Sequence, residues 1–142
     1  MIQLALICAL LGADYKPSNS AKAFVGPLGE KVEVLEVNDS KQLIARVSGV
    51  GGEWEGRTFV WDYNDRGDSK EASFGIKRGS KTETYNALVF RQASWSLYPQ
   101  GGKNRDGIHL SYSKEDSSKT STEDLIKAAQ AVAPKTTSHP TK

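Results

Sequence analysis

The chain has 142 residues, 37% of them hydrophobic and 25% charged, which suits one domain with a real core and is too little for two comfortable ones. Its 19 basic and 17 acidic side chains are interspersed and leave a net charge of +2, so neither wholesale disorder nor a strong field for nucleic acid is expected. A single cysteine, Cys8, excludes an intrachain disulfide and a cluster of thiolate metal ligands.

Ile2 to Ala13 reads IQLALICALLGA and is apolar apart from Gln3. It is far shorter than the about 20 apolar residues that span a bilayer, but it matches the apolar core of a secretory leader. Leu11-Gly12-Ala13 offers a cleavage site before Asp14, although no Lys or Arg precedes the apolar run. Residues 1–13 are therefore expected to be a signal peptide, with a mature chain that is periplasmic or extracellular and has neither a thiol nor a transmembrane segment. The alternative is a buried first strand or helix of an intracellular domain. Lipidation of Cys8 is disfavoured because Ile7 stands where a small residue would be needed.

Residues 14–30 carry Pro17, Ser18, Asn19, Ser20, Gly26, Pro27 and Gly29 and are expected to connect, with at most one short strand at Ala23 to Val25. Lys31 to Val47, KVEVLEVNDSKQLIARV, then gives the clearest signal in the chain. Two apolar, β-branched runs flank Asn38-Asp39-Ser40-Lys41, whose side chains favour turns, so a hairpin is predicted. Val32 and Val34 share one face and Leu35 and Val37 the other, so either both faces are covered or a bulge switches the register near Val34. In the second arm Leu43, Ala45 and Val47 alternate with Ile44 and Arg46.

After Gly51-Gly52-Glu53-Trp54-Glu55-Gly56, read as a loop, Phe59, Trp61 and Tyr63 alternate with Thr58, Val60 and Asp62 and place three rings on one side of a strand. Further strands are predicted over Glu71 to Lys77, Thr82 to Arg91, Ala93 to Tyr98 and Ile108 to Ser113, with a long loop from Pro99 to Gly107. Thr120 and Glu123 fit a capping box, and Leu125, Ile126, Ala129, Val132 and Ala133 fall on one stripe, so a helix is predicted over 121–133, ended by Pro134. Residues 134–142 form a polar tail. The expected fold is all-β: a small OB- or SH3-like barrel or a compact sandwich of six to seven short antiparallel strands, with one C-terminal helix, spanning 31–133.

Few residues offer chemistry. His139 lies in the tail and His109 alternates within a strand; with one candidate base, no GxSxG elbow and no cysteine outside the apolar N-terminal run, a hydrolase triad is not supported. Glu53 and Glu55, in an extended segment, would sit roughly 7 Å apart, within the about 5 to 9.5 Å that glycosidase carboxylate pairs use. The flanking glycines favour two solvated carboxylates instead. Asp62, Asn64, Asp65 and Asp68 begin like a calcium loop, but Arg66 takes a ligand position and Ser73 stands where a bidentate Glu is needed, leaving only a weak Ca²⁺ site or an ordinary polar turn. Arg66-Gly67-Asp68 is read as a chance tripeptide at that turn. Most aromatic residues must fill the core, whereas Trp54 and Tyr98, beside Gly-rich loops, are expected at the surface, where rings stack on sugars or bases.

The segment EVLEVNDSKQLIARV is similar to the opening hairpin of the thermonuclease-type OB-fold. The resemblance covers about fifteen residues and implies a barrel; the family's catalytic arginines and acidic partner have no counterpart in register, so it implies neither activity nor site residues. The functional expectation is a non-enzymatic exported domain binding a protein or glycan through Trp54, Tyr98, Glu53 and Glu55, with no cofactor and nucleic acid an improbable partner. Two alternatives stand beside it. One is an OB-like single-strand binder using Lys70, Lys77, Arg78, Lys81 and Arg91, and the other a small glycan-active enzyme.

Overall fold

A computed structural model describes residues 14–100 and 107–132. The expected leader, part of the loop between Pro99 and Gly107, the end of the C-terminal helix and the tail with His139 lie outside the described residues.

Alternating apolar residues produce eight strands: β1 (Lys22–Val25), β2 (Lys31–Val37), β3 (Gln42–Ser48), β4 (Thr58–Asp65), β5 (Lys70–Arg78), β6 (Lys81–Arg91), β7 (Ser94–Leu97) and β8 (Ile108–Tyr112). Each pairs antiparallel with its neighbour in sequence, and β1 also pairs with β8, so the sheet closes into a barrel. The strand count exceeds the expected six or seven. The connectivity is a plain meander rather than the Greek key of an OB-fold, so the likeness to that fold ends at the hairpin.

The β2–β3 register runs without a shift from Lys31 opposite Ser48 to Val37 opposite Gln42. Both faces of the hairpin are therefore covered, and no bulge is needed. Val32, Val34, Leu43, Ala45 and Val47 point into the barrel, while Leu35, Val37 and Ile44 belong to a second cluster outside it. The hairpin turn holds Asn38, Asp39 and Ser40 at φ 57°, 59° and 59°, a left-handed run that L-residues adopt at a cost. Side chains offset that cost: Asn38 Oδ1 accepts from Lys16 N at 3.0 Å, Asn38 Nδ2 donates to Gln42 Oε1 at 2.8 Å, and Ser40 N donates to Ser18 Oγ at 2.9 Å. The stretch read as a connector thus supplies β1, braces this turn and buries Tyr15 and Ala21 in the outer cluster.

Among the described residues two helices follow the barrel. The first, α1 (Lys114–Lys119), has no apolar stripe and was not expected; Ser113 caps it by accepting from Asp116 N at 3.1 Å. Ser117 Oγ accepts from Ala23 N at 2.8 Å, so α1 satisfies a backbone donor of β1, whose pairing with β8 covers only two residues. The second, α2 (Thr122–Val132), lies across the outside of β2, β3 and β4, with Leu125 and Ala129 fully buried. Its cap is Ser121, which accepts from Asp124 N at 3.1 Å, one residue later than the expected Thr120 box. Thr120 instead ends α1 and donates to Glu33 Oε2 on β2 at 3.0 Å.

One end of the barrel is sealed. The chain between β3 and β4 makes a 3₁₀ turn over Gly52–Trp54, and Trp54, expected at the surface, is only 3% exposed. Its ring lies 4.8 Å from Phe59, 5.6 Å from Trp61 and 6.3 Å from Phe74. The physical reason is area: an indole at a loop tip removes roughly 150–250 Å² from water when the loop folds inward. Glu55 fixes that loop by accepting from the backbone N–H groups of Gly49, Val50 and Gly51 at 2.9, 2.8 and 2.7 Å.

Candidate binding cavity

Period-two alternation decides what the opposite end presents. In a meander barrel the odd strands begin where the even strands end, so inward-facing residues at those termini ring a single mouth. There the ring encloses a cavity of about 380 Å³. Its apolar wall comes from Val34 on β2, Leu43 on β3 and Leu88 on β6. Aromatic rings form the rim: Phe24 lies 5.6 Å from Trp95 and 5.7 Å from Tyr112, and Phe90 lies 5.0 Å from Trp95. With Lys22, Glu36, Tyr63 and Lys70, all eight strands contribute to the lining.

The four polar groups are set at the rim because each continues an inward phase by one step: Lys22 before Phe24, Glu36 after Val34, Tyr63 after Trp61, Lys70 before Ala72. The ammonium of Lys22 has no hydrogen-bond or ion-pair partner among the described residues. Lys70 Nζ sits 4.5 Å from the centre of the Phe90 ring and donates to Gly67 O at 3.3 Å. Glu36 Oε1 accepts from Ser40 Oγ at 2.8 Å. Burial, followed by the negative charges of Glu36 and Asp65, pushes the Tyr63 phenol far above its ordinary range, so it remains a neutral hydrogen-bond donor. The site is an apolar pocket with a few convergent polar groups, the ordinary form of a small-molecule site.

The expected site residues lie elsewhere. Trp54 and Tyr98 both belong to the sealed end, where the Tyr98 carbonyl accepts from Tyr85 OH at 2.6 Å. The half-buried Tyr98 ring covers Gly107 so closely that a Cβ there would lie 2.6 Å from Cε1. Glu53 is exposed on the 3₁₀ turn, so the spacing expected for an extended Glu53–Glu55 pair does not apply. Hydrogen bonds from Gly49, Gly51 and Val50 hold the Glu55 carboxyl below its usual range, the opposite of what a general acid needs.

Asp62, Asn64, Asp65 and Asp68 are not brought together. Asp62 and Asp65 extend from opposite faces of β4, and Asp65 Oδ1 accepts from Gly67 N at 2.8 Å within the turn. Among the described residues no three His, Cys, Asp or Glu side chains cluster as a metal would require. Of the basic residues, Lys70 and Arg91 lie at the mouth end, whereas Lys77, Arg78 and Lys81 flank the β5–β6 turn at the other. Eight residue steps along a strand separate the two groups by roughly 26 Å. Arg78 and Arg91 also face Glu83 at 2.7 Å and Glu71 at 3.6 Å.

The sequence did contain the signal for the cavity, in the polar residues that end apolar phases. Reading it requires knowing that the sheet closes, which turns a strand terminus into a rim. Comparison with family models, with curated proteins and with solved structures yields no match to the chain. No helix among the described residues is long and apolar enough to cross a membrane.

Proposed function

We propose that the chain is a non-enzymatic binding module that takes one small, largely apolar molecule into the barrel mouth. The observation that carries this reading is a cavity of about 380 Å³, walled by all eight strands and open at one end, while Trp54 seals the other. Eight strands are the number at which a barrel is just wide enough for its own side chains or for one small ligand, and this volume falls within the about 300–1,000 Å³ of ordinary ligand sites. The reading includes work in the periplasm or outside the cell, supported by the leader-like residues 1–13. Less supports the alternatives. The basic residues divide between two ends of the barrel, and Glu55 is engaged by its own loop.

The test is a titration with the neutral fluorophore N-phenyl-1-naphthylamine, read by probe emission and by quenching of Trp95 at the rim. Wild type is expected to saturate at one probe per chain. Val34→Phe, which fills the cavity from its wall, is expected to weaken binding at least tenfold while keeping a cooperative melt. Absence of saturable binding, or equal binding by the filled variant, would overturn the proposal.

A further inference from the structure

We infer that the molecule held in this cavity is an amphipathic anion, with an apolar body among Val34, Leu43 and Leu88 and a single anionic head between Lys22 and Lys70. This rests on the cavity reading and adds the charge of the ligand.

Lys22 on β1 and Lys70 on β5 stand four strands apart in a ring of eight, so they face each other across the mouth. Neither is in an ion pair with a carboxylate of the described residues. The two carboxylates nearby keep their charge, which acts on Tyr63, but each is held by a neutral donor rather than by a lysine: Glu36 accepts from Ser40 Oγ, and Asp65, paired in register with Lys70, accepts from Gly67 N. An anionic head supplies a counter-ion to both ammonium groups: Lys22 has none among the described residues, and Lys70 has only the Phe90 ring and the Gly67 carbonyl. The lining also includes residues whose side chains can donate hydrogen bonds: Tyr63, Asn19, Ser20 and Tyr112. A cationic ligand would have to displace Lys70 to use the face of Phe90.

The experiment compares three probes of one chain length by calorimetric titration: decanoate, decan-1-ol and decyltrimethylammonium. Decanoate is expected to bind at least tenfold tighter than decan-1-ol, with the cation weakest. Lys22→Gln and Lys70→Gln should each weaken decanoate at least fivefold more than they weaken decan-1-ol, and Lys22→Arg should restore most of the loss. Melting curves of the variants confirm that the barrel is intact. Equal affinity for decanoate and decan-1-ol, or tighter binding of the cation, overturns the anion assignment and leaves the cavity reading standing. Failure of all three probes removes both.

Discussion

Glu33 sits on the outer face of β2, where its carboxylate accepts from Arg46 Nε at 2.8 Å and from Thr120 Oγ1 at 3.0 Å. It thereby ties the junction between α1 and α2 to the barrel across 87 positions of sequence. Burial raises its pKa, but the bonds from Arg46 and Thr120 and the charges of Arg46 and Lys31 outweigh burial and hold it below 4.5. A lowered folded-state value means stabilisation that is present above the unfolded value and is lost as pH falls through the folded one. Thermal melts from about pH 5 to about pH 3 should therefore show wild type losing more stability than Glu33→Gln. At neutral pH the variant should be less stable by about 1–3 kcal/mol, because Arg46 and Thr120 lose a charged acceptor. Parallel pH profiles for the two proteins would contradict this role. Glu33 also shows what a residue pattern hides: its alternation marked it as outward, but nothing local pointed to a partner in the C-terminal segment. The same limit applies to Lys22, Glu36 and Lys70, whose phases were readable while their convergence was not. Trp54 was misplaced for a related reason, since glycine neighbours suggest exposure and cannot show that a loop folds back over a barrel end.

Elements with strong periodicity were legible, and those built on tertiary hydrogen bonds were not. The helix α2 announced itself through Leu125, Ile126 and Ala129 at helical spacing, and those residues pack against Tyr15, Leu35, Val37 and Ile44. A helix of this length is marginal alone, so its stability comes from that contact. Leu125→Ala should cost about 2–5 kcal/mol in urea unfolding, because the side chain is fully buried. The same variant should bind a mouth probe as wild type does, since α2 covers the outer side of β2 to β4. A loss below about 1 kcal/mol would mean that the helix does not depend on this docking. By contrast, α1 reads KEDSSK, buries none of its residues and is held by Ser113 and Ser117, a device invisible to hydropathy.

At the scale of the whole molecule, the two ends of the barrel have divided the aromatic residues between structure and surface. Trp54, Phe59, Trp61 and Phe74 fill the sealed end, where Phe59 and Trp61 stack at 5.1 Å with an interplanar angle of 15°. Phe24, Phe90, Trp95 and Tyr112 surround the open one. The alternation of rings gave a barrel or a sandwich; the decision between them rests on Phe24 opposite Tyr112 and Val25 opposite Ser111, a closure of two residue pairs between the first and last strands. No periodicity contains that information, because it depends on sheet twist summed over eight strands. The central claim is that the open end receives a ligand, and chemical-shift mapping of the protein saturated with N-phenyl-1-naphthylamine tests it most directly. Large shifts and intermolecular contacts at Phe24, Leu43, Leu88 and Trp95, with the Trp54 indole and Tyr98 unmoved, are predicted. Shifts centred on Trp54 and Tyr98, or spread over the outer face of α2, would contradict it.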